Sequence, residues 1–205
     1  MCAGKTLQSI SLMASLSLEQ RLPRPHLVVV PLSVLGNWLR EVAFWCPQLK
    51  AQKFHGNREE RLAQKDALME EGGFDVCVTT YETVAQEVSA LRKIDFEMLV
   101  IDEAHRLKNE SSKLSSLLRQ LSSARRLLLT GTPIQNNLHE LWALLNFLYP
   151  EVFTSVCARA RSPPARHAVS PPRLTASKLV RAMPHASERP SFDAVVFFGT
   201  SVGDL

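Results

Sequence analysis

Four short, uninterrupted apolar runs recur along the first three-quarters of this 205-residue chain, and they constrain its fold more than any other feature. They read L-V-V-V at 27–30, D-V-C-V-T at 75–79, M-L-V-I-D at 98–102 and R-L-L-L-T at 126–130. Runs this short, without polar alternation, mark strands buried on both faces. A weaker strand signal lies at 52–55. The segments between them carry helical spacing instead. Leu7, Ile10, Ala14 and Leu18 form one stripe, broken by Pro23 and Pro25. Leu35, Trp38, Leu39, Val42 and Trp45 form a second, with Ser33 placed to cap it and Pro47 to end it. A charged helix is predicted over 58–69, closed by Gly72-Gly73, and another begins near Glu82. Asn109 can cap a helix striped by Leu114, Leu117, Leu118 and Leu121. A last helix, striped by Leu138, Leu141, Trp142, Leu145 and Leu148, stops at Pro150. Spacing assigns both of these leucine stripes to the core. Buried strands alternating with amphipathic helices specify an α/β domain with a parallel sheet covered on both faces.

Charge and composition divide the chain at about residue 155. Up to that point 17 basic and 17 acidic residues balance. The remainder holds 7 basic and 3 acidic residues, and so the whole net charge of +4. The basic excess therefore says nothing about nucleic-acid binding by the folded part. Six of the twelve prolines also lie in the tail, among Arg, Ala and Ser, with one short apolar run at 194–198. Composition assigns residues 155–205 to a linker or disordered segment. No stretch of the sequence approaches 18 uncharged apolar residues, so no membrane-spanning helix is expected. The apolar stretch after Lys5 is interrupted by serines and a glutamine and is not read as a signal peptide. Four scattered cysteines, with no C-x-x-C pair, suit neither a disulfide framework nor a zinc site.

Three segments carry chemistry. Gly4-Lys5-Thr6 opens the first helix, where backbone N–H groups and the helix dipole favour phosphate. A lysine there can reach phosphate oxygens, and a threonine hydroxyl can ligate Mg²⁺. Three residues alone are equally at home at any helix start. Asp102-Glu103-Ala104-His105 follows a buried strand, so its acids face the crevice where parallel sheets bind ligands. One carboxylate can hold a metal's hydration shell while its neighbour orients and deprotonates water. Leu129-Thr130-Gly131-Thr132-Pro133 ends the next strand with small hydroxyl residues and a glycine that allow close approach to those acids.

Together these segments resemble the helicase-like ATPases of superfamily 2, and within them the SWI/SNF-type chromatin remodellers. Gly4-Lys5-Thr6-Leu7-Gln8 is similar to the family's motif I, Val30-Pro31-Leu32-Ser33 with Asn37-Trp38 to motif Ia, and Val78-Thr79-Thr80-Tyr81-Glu82 to motif Ib. Asp102 to Asn109 resembles motif II with its extension, and Leu128 to Leu138 resembles motif III. The run from His139 to Leu148 is especially similar to the imitation-switch (ISWI) branch. The resemblance covers residues 1–154 and implies the first, RecA-like ATPase lobe, using ATP and Mg²⁺. By that resemblance Gly4, Lys5 and Thr6 bind nucleotide, Thr6 and Asp102 hold the metal, and Glu103 activates water. His105, Thr130, Gly131 and Thr132 couple nucleotide state to movement. Pro31, Ser33, Thr79 and Thr80 lie near the backbone of double-stranded DNA. The implied setting is nuclear, on nucleosomes and with remodelling-complex subunits.

The sequence also departs from the family pattern. Motif I usually reads D-E-M-G-L-G-K-T, whereas Met1-Cys2-Ala3 precede Gly4 here, and a Cβ at Cys2 hinders close approach to phosphate. The strand that leads into the phosphate loop is expected to be missing, as is a second lobe. An arginine supplied from outside the lobe contributes roughly 10³–10⁵ in rate in related phosphoryl transfer. The expectation is an ATP- and DNA-binding lobe by family that, alone, binds Mg-ATP weakly or not at all and does not turn it over. A non-catalytic DNA- or nucleosome-binding fragment, or an incomplete gene product without independent function, stays open.

Overall fold

The computed structural model describes residues 3–70, 72–107, 113–131, 138–149 and 194–198. In chain order the elements are α1 (Ala3–Ala14), β1 (His26–Val30), α2 (Leu32–Trp45), β2 (Ala51–Phe54), α3 (Arg58–Met69), β3 (Val76–Thr80) and α4 (Tyr81–Leu91). They continue with β4 (Phe96–Ile101), α5 (Lys113–Arg119), β5 (Ser123–Thr130), α6 (Leu138–Leu148) and β6 (Ala194–Phe198). A π-helical turn, Ser15–Glu19, extends α1, and a 3₁₀ turn, Ala104–Leu107, follows β4. The six strands form one sheet in the order β2-β3-β1-β4-β5-β6, and every pairing is parallel.

Strands β1, β3 and β4 are buried along their whole length, as their continuous apolar runs require. Successive residues alternate between two cores. Leu27 and Val29 enter one, with residues of α4, α5 and α6; Val28 and Val30 enter the other, with Ile10, Met13, Trp38 and Val42 of α1 and α2. This is the α/β lobe with helices on both faces that the sequence pattern predicts, RecA-like as the resemblance implies. Helix α3 begins and ends where predicted, set by a capping box between Asn57 and Glu60.

Several local readings differ. The stripe through Leu18 fails because the π-helical turn, closed by Gln20 N–H donating to the Ser15 carbonyl, rotates the buried face. Ile10, Met13 and Leu16 point inward while Leu18 is 45% exposed. Helix α2 starts at Leu32, with Pro31 at its N-cap and no side-chain cap, so Ser33 does not have the capping role. Trp45 is exposed, and Cys46 is buried instead. On α6 the buried residues are Ala143, Leu144, Phe147 and Leu148, whereas Trp142 and Leu145 are half-buried. That helix is apolar on most sides, so spacing alone could not choose its core face. Leu118 and Leu121 of the other stripe are buried, Leu114 packs against the same core, and Leu117 is half-buried. Asn109, and the side chains of Leu138 and Leu141, lie outside the described residues.

In the proline-rich tail, the short apolar run at Ala194–Phe198 forms strand β6 alongside β5; the rest of residues 155–205 lies outside the described residues. Among the described residues, no helix is long and apolar enough to cross a membrane.

Candidate functional site

The strand order reverses around β1: from β1 the chain crosses to the edge strand β2, comes back to β3 beside β1, and then passes to β4 and β5 on the other side. Parallel sheets leave a ligand-binding crevice at the carboxyl end of such a switch point. Val30, Thr80, Ile101 and Thr130 end the four strands there.

Asp102 is the first residue beyond β4, and its N–H donates to the Val29 carbonyl of β1 at 2.9 Å, pinning it to the crevice. The Trp38 indole N–H donates to Asp102 Oδ2 at 2.9 Å, and the Glu103 N–H donates to Oδ1 at 3.0 Å. Burial pushes the Asp102 carboxyl above the ordinary carboxylate range; the Trp38 bond opposes that shift, the neighbouring Glu103 charge adds to it, and Lys5 opposes it. Glu103 holds a left-handed backbone at φ +54°, a costly conformation for a residue with a Cβ. The Tyr81 hydroxyl, donating to the Asp102 carbonyl, fixes this turn, and the Arg106 guanidinium stacks 4.6 Å above the Tyr81 ring. Burial, with the Asp102 charge next, drives the Tyr81 hydroxyl far above the ordinary phenol range, so it stays a donor.

Gly131 marks where the separated segments meet. A Cβ on it would lie 3.3 Å from both Lys5 Nζ and Glu103 Oε1. Lysine, carboxylate and glycine backbone therefore share one small space, although residues 5, 103 and 131 are far apart in sequence. His105 Nδ1 lies 3.1 Å from Glu103 Oε2. Gly4 is exposed and Thr6 half-buried on the first turns of α1, while Thr130 is buried at the end of β5. Thr132 lies outside the described residues.

This donor set suits a magnesium ion held with a phosphate ligand. Each oxygen of Asp102 accepts one hydrogen bond and keeps a second lone pair. Mg²⁺ typically takes one or two protein oxygens and completes its shell with water and phosphate, and the spare lone pairs of Asp102 fit that need.

The four residues expected at DNA separate into two groups. Pro31 is half-buried and Ser33 exposed, both at the carboxyl edge on the start of α2. Thr79 and Thr80 are buried, and their hydroxyls are used inside the protein. Thr79 donates to the Phe54 carbonyl at 2.8 Å. Thr80 caps α4 by accepting from the Thr83 N–H, and its hydroxyl lies 3.3 Å from His55 Nδ1. The structure thus gives these two threonines positioning contacts rather than free donors, because strand β3 buries both of its faces. Two members of the site escape a reading by sequence alone. Trp38 reads as core, yet a buried indole N–H needs an acceptor, and that need was the available signal. Tyr81 lies in the segment similar to motif Ib, but nothing in the sequence points to its bond, which is to a backbone carbonyl just beyond β4.

Residues 1–162 match the SNF2-related domain family. An ISWI chromatin-remodeling complex ATPase of Arabidopsis thaliana is 55% identical over 152 residues, 74% of this chain and 14% of the relative. The SWI/SNF-related matrix-associated actin-dependent regulator of chromatin subfamily A member 1 of Homo sapiens is 54% identical over 152 residues, again 74% of this chain and 15% of the relative. This chain therefore spans about one seventh of the length of such relatives. Among solved structures, the Sulfolobus solfataricus SWI2/SNF2 ATPase core in complex with dsDNA matches with a TM-score of 0.64 and 31% identity, over 77% of this chain and 32% of that one. Motifs, fold and relatives agree: the chain belongs to the SNF2-related domain family, alongside ISWI ATPases.

Proposed function

We propose that this lobe binds ATP with Mg²⁺ at the crevice between Lys5, Asp102, Glu103 and Gly131, and serves ATP-dependent chromatin remodelling on double-stranded DNA in the nucleus. One observation carries the reading: Lys5 Nζ and the Glu103 carboxylate converge on Gly131 at the switch point of a parallel sheet. Lys5 neutralises phosphate charge at the N-terminus of α1, where the helix dipole and free N–H groups add to it. Asp102 and Thr6 would hold Mg²⁺, which would supply charge neutralisation when bound. Glu103, held in its left-handed turn, orients water and accepts its proton, and His105 senses that carboxylate. Ser33 and Pro31 face DNA phosphates, which position a protein without reading sequence. Nucleosomes and the subunits of a remodelling complex are the partners this reading implies.

Hydrolysis requires transition-state charge stabilisation beyond a single lysine. We further propose that the 205 residues by themselves make nucleotide and DNA contacts without turnover and bind ATP weakly. Titration of Mg-ATP into the full chain tests the site: Lys5→Ala and Asp102→Asn are expected to abolish binding. Equal binding by wild type and Lys5→Ala refutes it. DNA-stimulated phosphate release above the Lys5→Ala level would refute the assignment of no turnover.

A further inference from the structure

Strand β5 ends in Leu127, Leu128, Leu129 and Thr130, all buried. Leu127 and Leu129 enter one core and Leu128 the other, so this strand is covered on both faces. One edge pairs with β4. An open second edge would leave unpaired N–H and C=O groups beside an apolar strand, a template for association. That edge is taken by β6, in register from Arg126 with Ala194 to Thr130 with Phe198. The sequence A-V-V-F-F, with no charge, glycine or proline, is the composition of a strand rather than of a linker.

We propose that the outer edge of β5 is a strand-accepting surface, and that its occupant is this chain's own Ala194–Phe198. The tail segment is then a working part of the lobe. Its last ladder position, Phe198 beside Thr130, adjoins Gly131, so docking of β6 orders the backbone against which Lys5 and Glu103 meet. The connection, residues 150–193, reaches easily at ~3.3 Å per extended residue. A tethered strand also acts at an effective concentration of order millimolar, which favours the chain's own segment over a free competitor. The consequence for nucleotide rests on the function proposed above, whereas the docking itself does not.

Amide hydrogen exchange on the full chain without nucleotide tests the docking. Neighbouring residues of a strand point their N–H groups to opposite sides, so one of Val195 and Val196 faces β5. Val195→Pro/Val196→Pro therefore removes a ladder bond whichever it is. The expected result is exchange faster by about tenfold or more at β5 amides that face β6, with β1 and β3 unchanged. Val195→Thr/Val196→Thr, which keeps both N–H groups and strand propensity, is expected to stay protected. A synthetic peptide of residues 192–200 at millimolar concentration is expected to restore protection to the proline variant and leave wild type unaffected. Equal exchange in wild type and proline variant, or no rescue by the peptide, overturns the proposal. Protection found only in a dimer by light scattering would assign the strand to a second copy and overturn the occupant named here.

Discussion

Replacing Trp38 by phenylalanine isolates the contact that joins core to site. Trp38 is 1% exposed, and its indole N–H donates to Asp102 Oδ2 at 2.9 Å. Phenylalanine keeps a ring in the core but removes the donor. A hydrogen bond to a charged group contributes about 1.5–3 kcal/mol, and the smaller ring adds about 1 kcal/mol for the space it leaves. The expected cost above the carboxyl's ionisation is about 3 kcal/mol, a large share of a stability of roughly 5–15 kcal/mol. With a urea slope of about 2 kcal/mol/M, the unfolding midpoint falls by about 1.5 M. The pH dependence has a definite sign. Burial raises the folded Asp102 pKa above its unfolded value, so the associated stability is full below the unfolded pKa and lost as pH rises through the folded one. Trp38→Phe removes the bond that opposes this shift, so its penalty grows with pH. At low pH, where the carboxyl is protonated in both states, the bond is neutral and contributes only about 0.5–1.5 kcal/mol. Urea unfolding of Trp38→Phe, Asp102→Ala and the double variant closes the cycle, with a coupling of about 2 kcal/mol expected near pH 8. A coupling below about 0.5 kcal/mol, or a penalty independent of pH, would refute the reasoning.

Other outcomes follow from contacts at the opposite, amino end of the sheet and in one loop. His26 is fully buried, and burial lowers its pKa to about 4 from the ordinary 6.5. The stability it supports is complete above pH 6.5 and falls by about 3 kcal/mol as pH drops through 4, so unfolding of His26→Gln should show a flatter acid limb than wild type. Glu97, with a side chain 1% exposed, pairs with Arg24 at 3.0 Å and with Arg125. Glu97→Gln leaves cationic partners uncompensated and is expected to cost about 3 kcal/mol in denaturant unfolding. Gly56 has φ +148°, and a Cβ there would sit 1.9 Å from the Glu60 carboxylate that closes the capping box. Gly56→Ala should lose that cap and lower stability by about 1–3 kcal/mol, measured by thermal unfolding, whereas Gly72→Ala, at φ +71° with open space around it, should lose less.

The sequence by itself determined what depends on local pattern. Continuous apolar runs dictated doubly buried parallel strands at β1, β3, β4 and β5, because no other element buries both faces of so short a segment. Asn57 and Glu60 set the start of α3 through a cap made within four residues. The acids after β4 and the lysine at the start of α1 marked the candidate site through residue type and place in the element order. Tertiary structure decided what depends on partners distant in the chain. It gave the Trp38 donor to Asp102, the Tyr81 hydroxyl to the Glu103 turn, the Thr79 hydroxyl to the Phe54 carbonyl, and the Thr83 N–H to the Thr80 hydroxyl. It chose the face of α6, whose residues are apolar on most sides so that periodicity does not single out one stripe, and it set β6 against the edge of β5. Periodicity records which side of an element is apolar. Which polar atom meets which, and which edge accepts a strand, is fixed only when elements far apart in sequence are packed together.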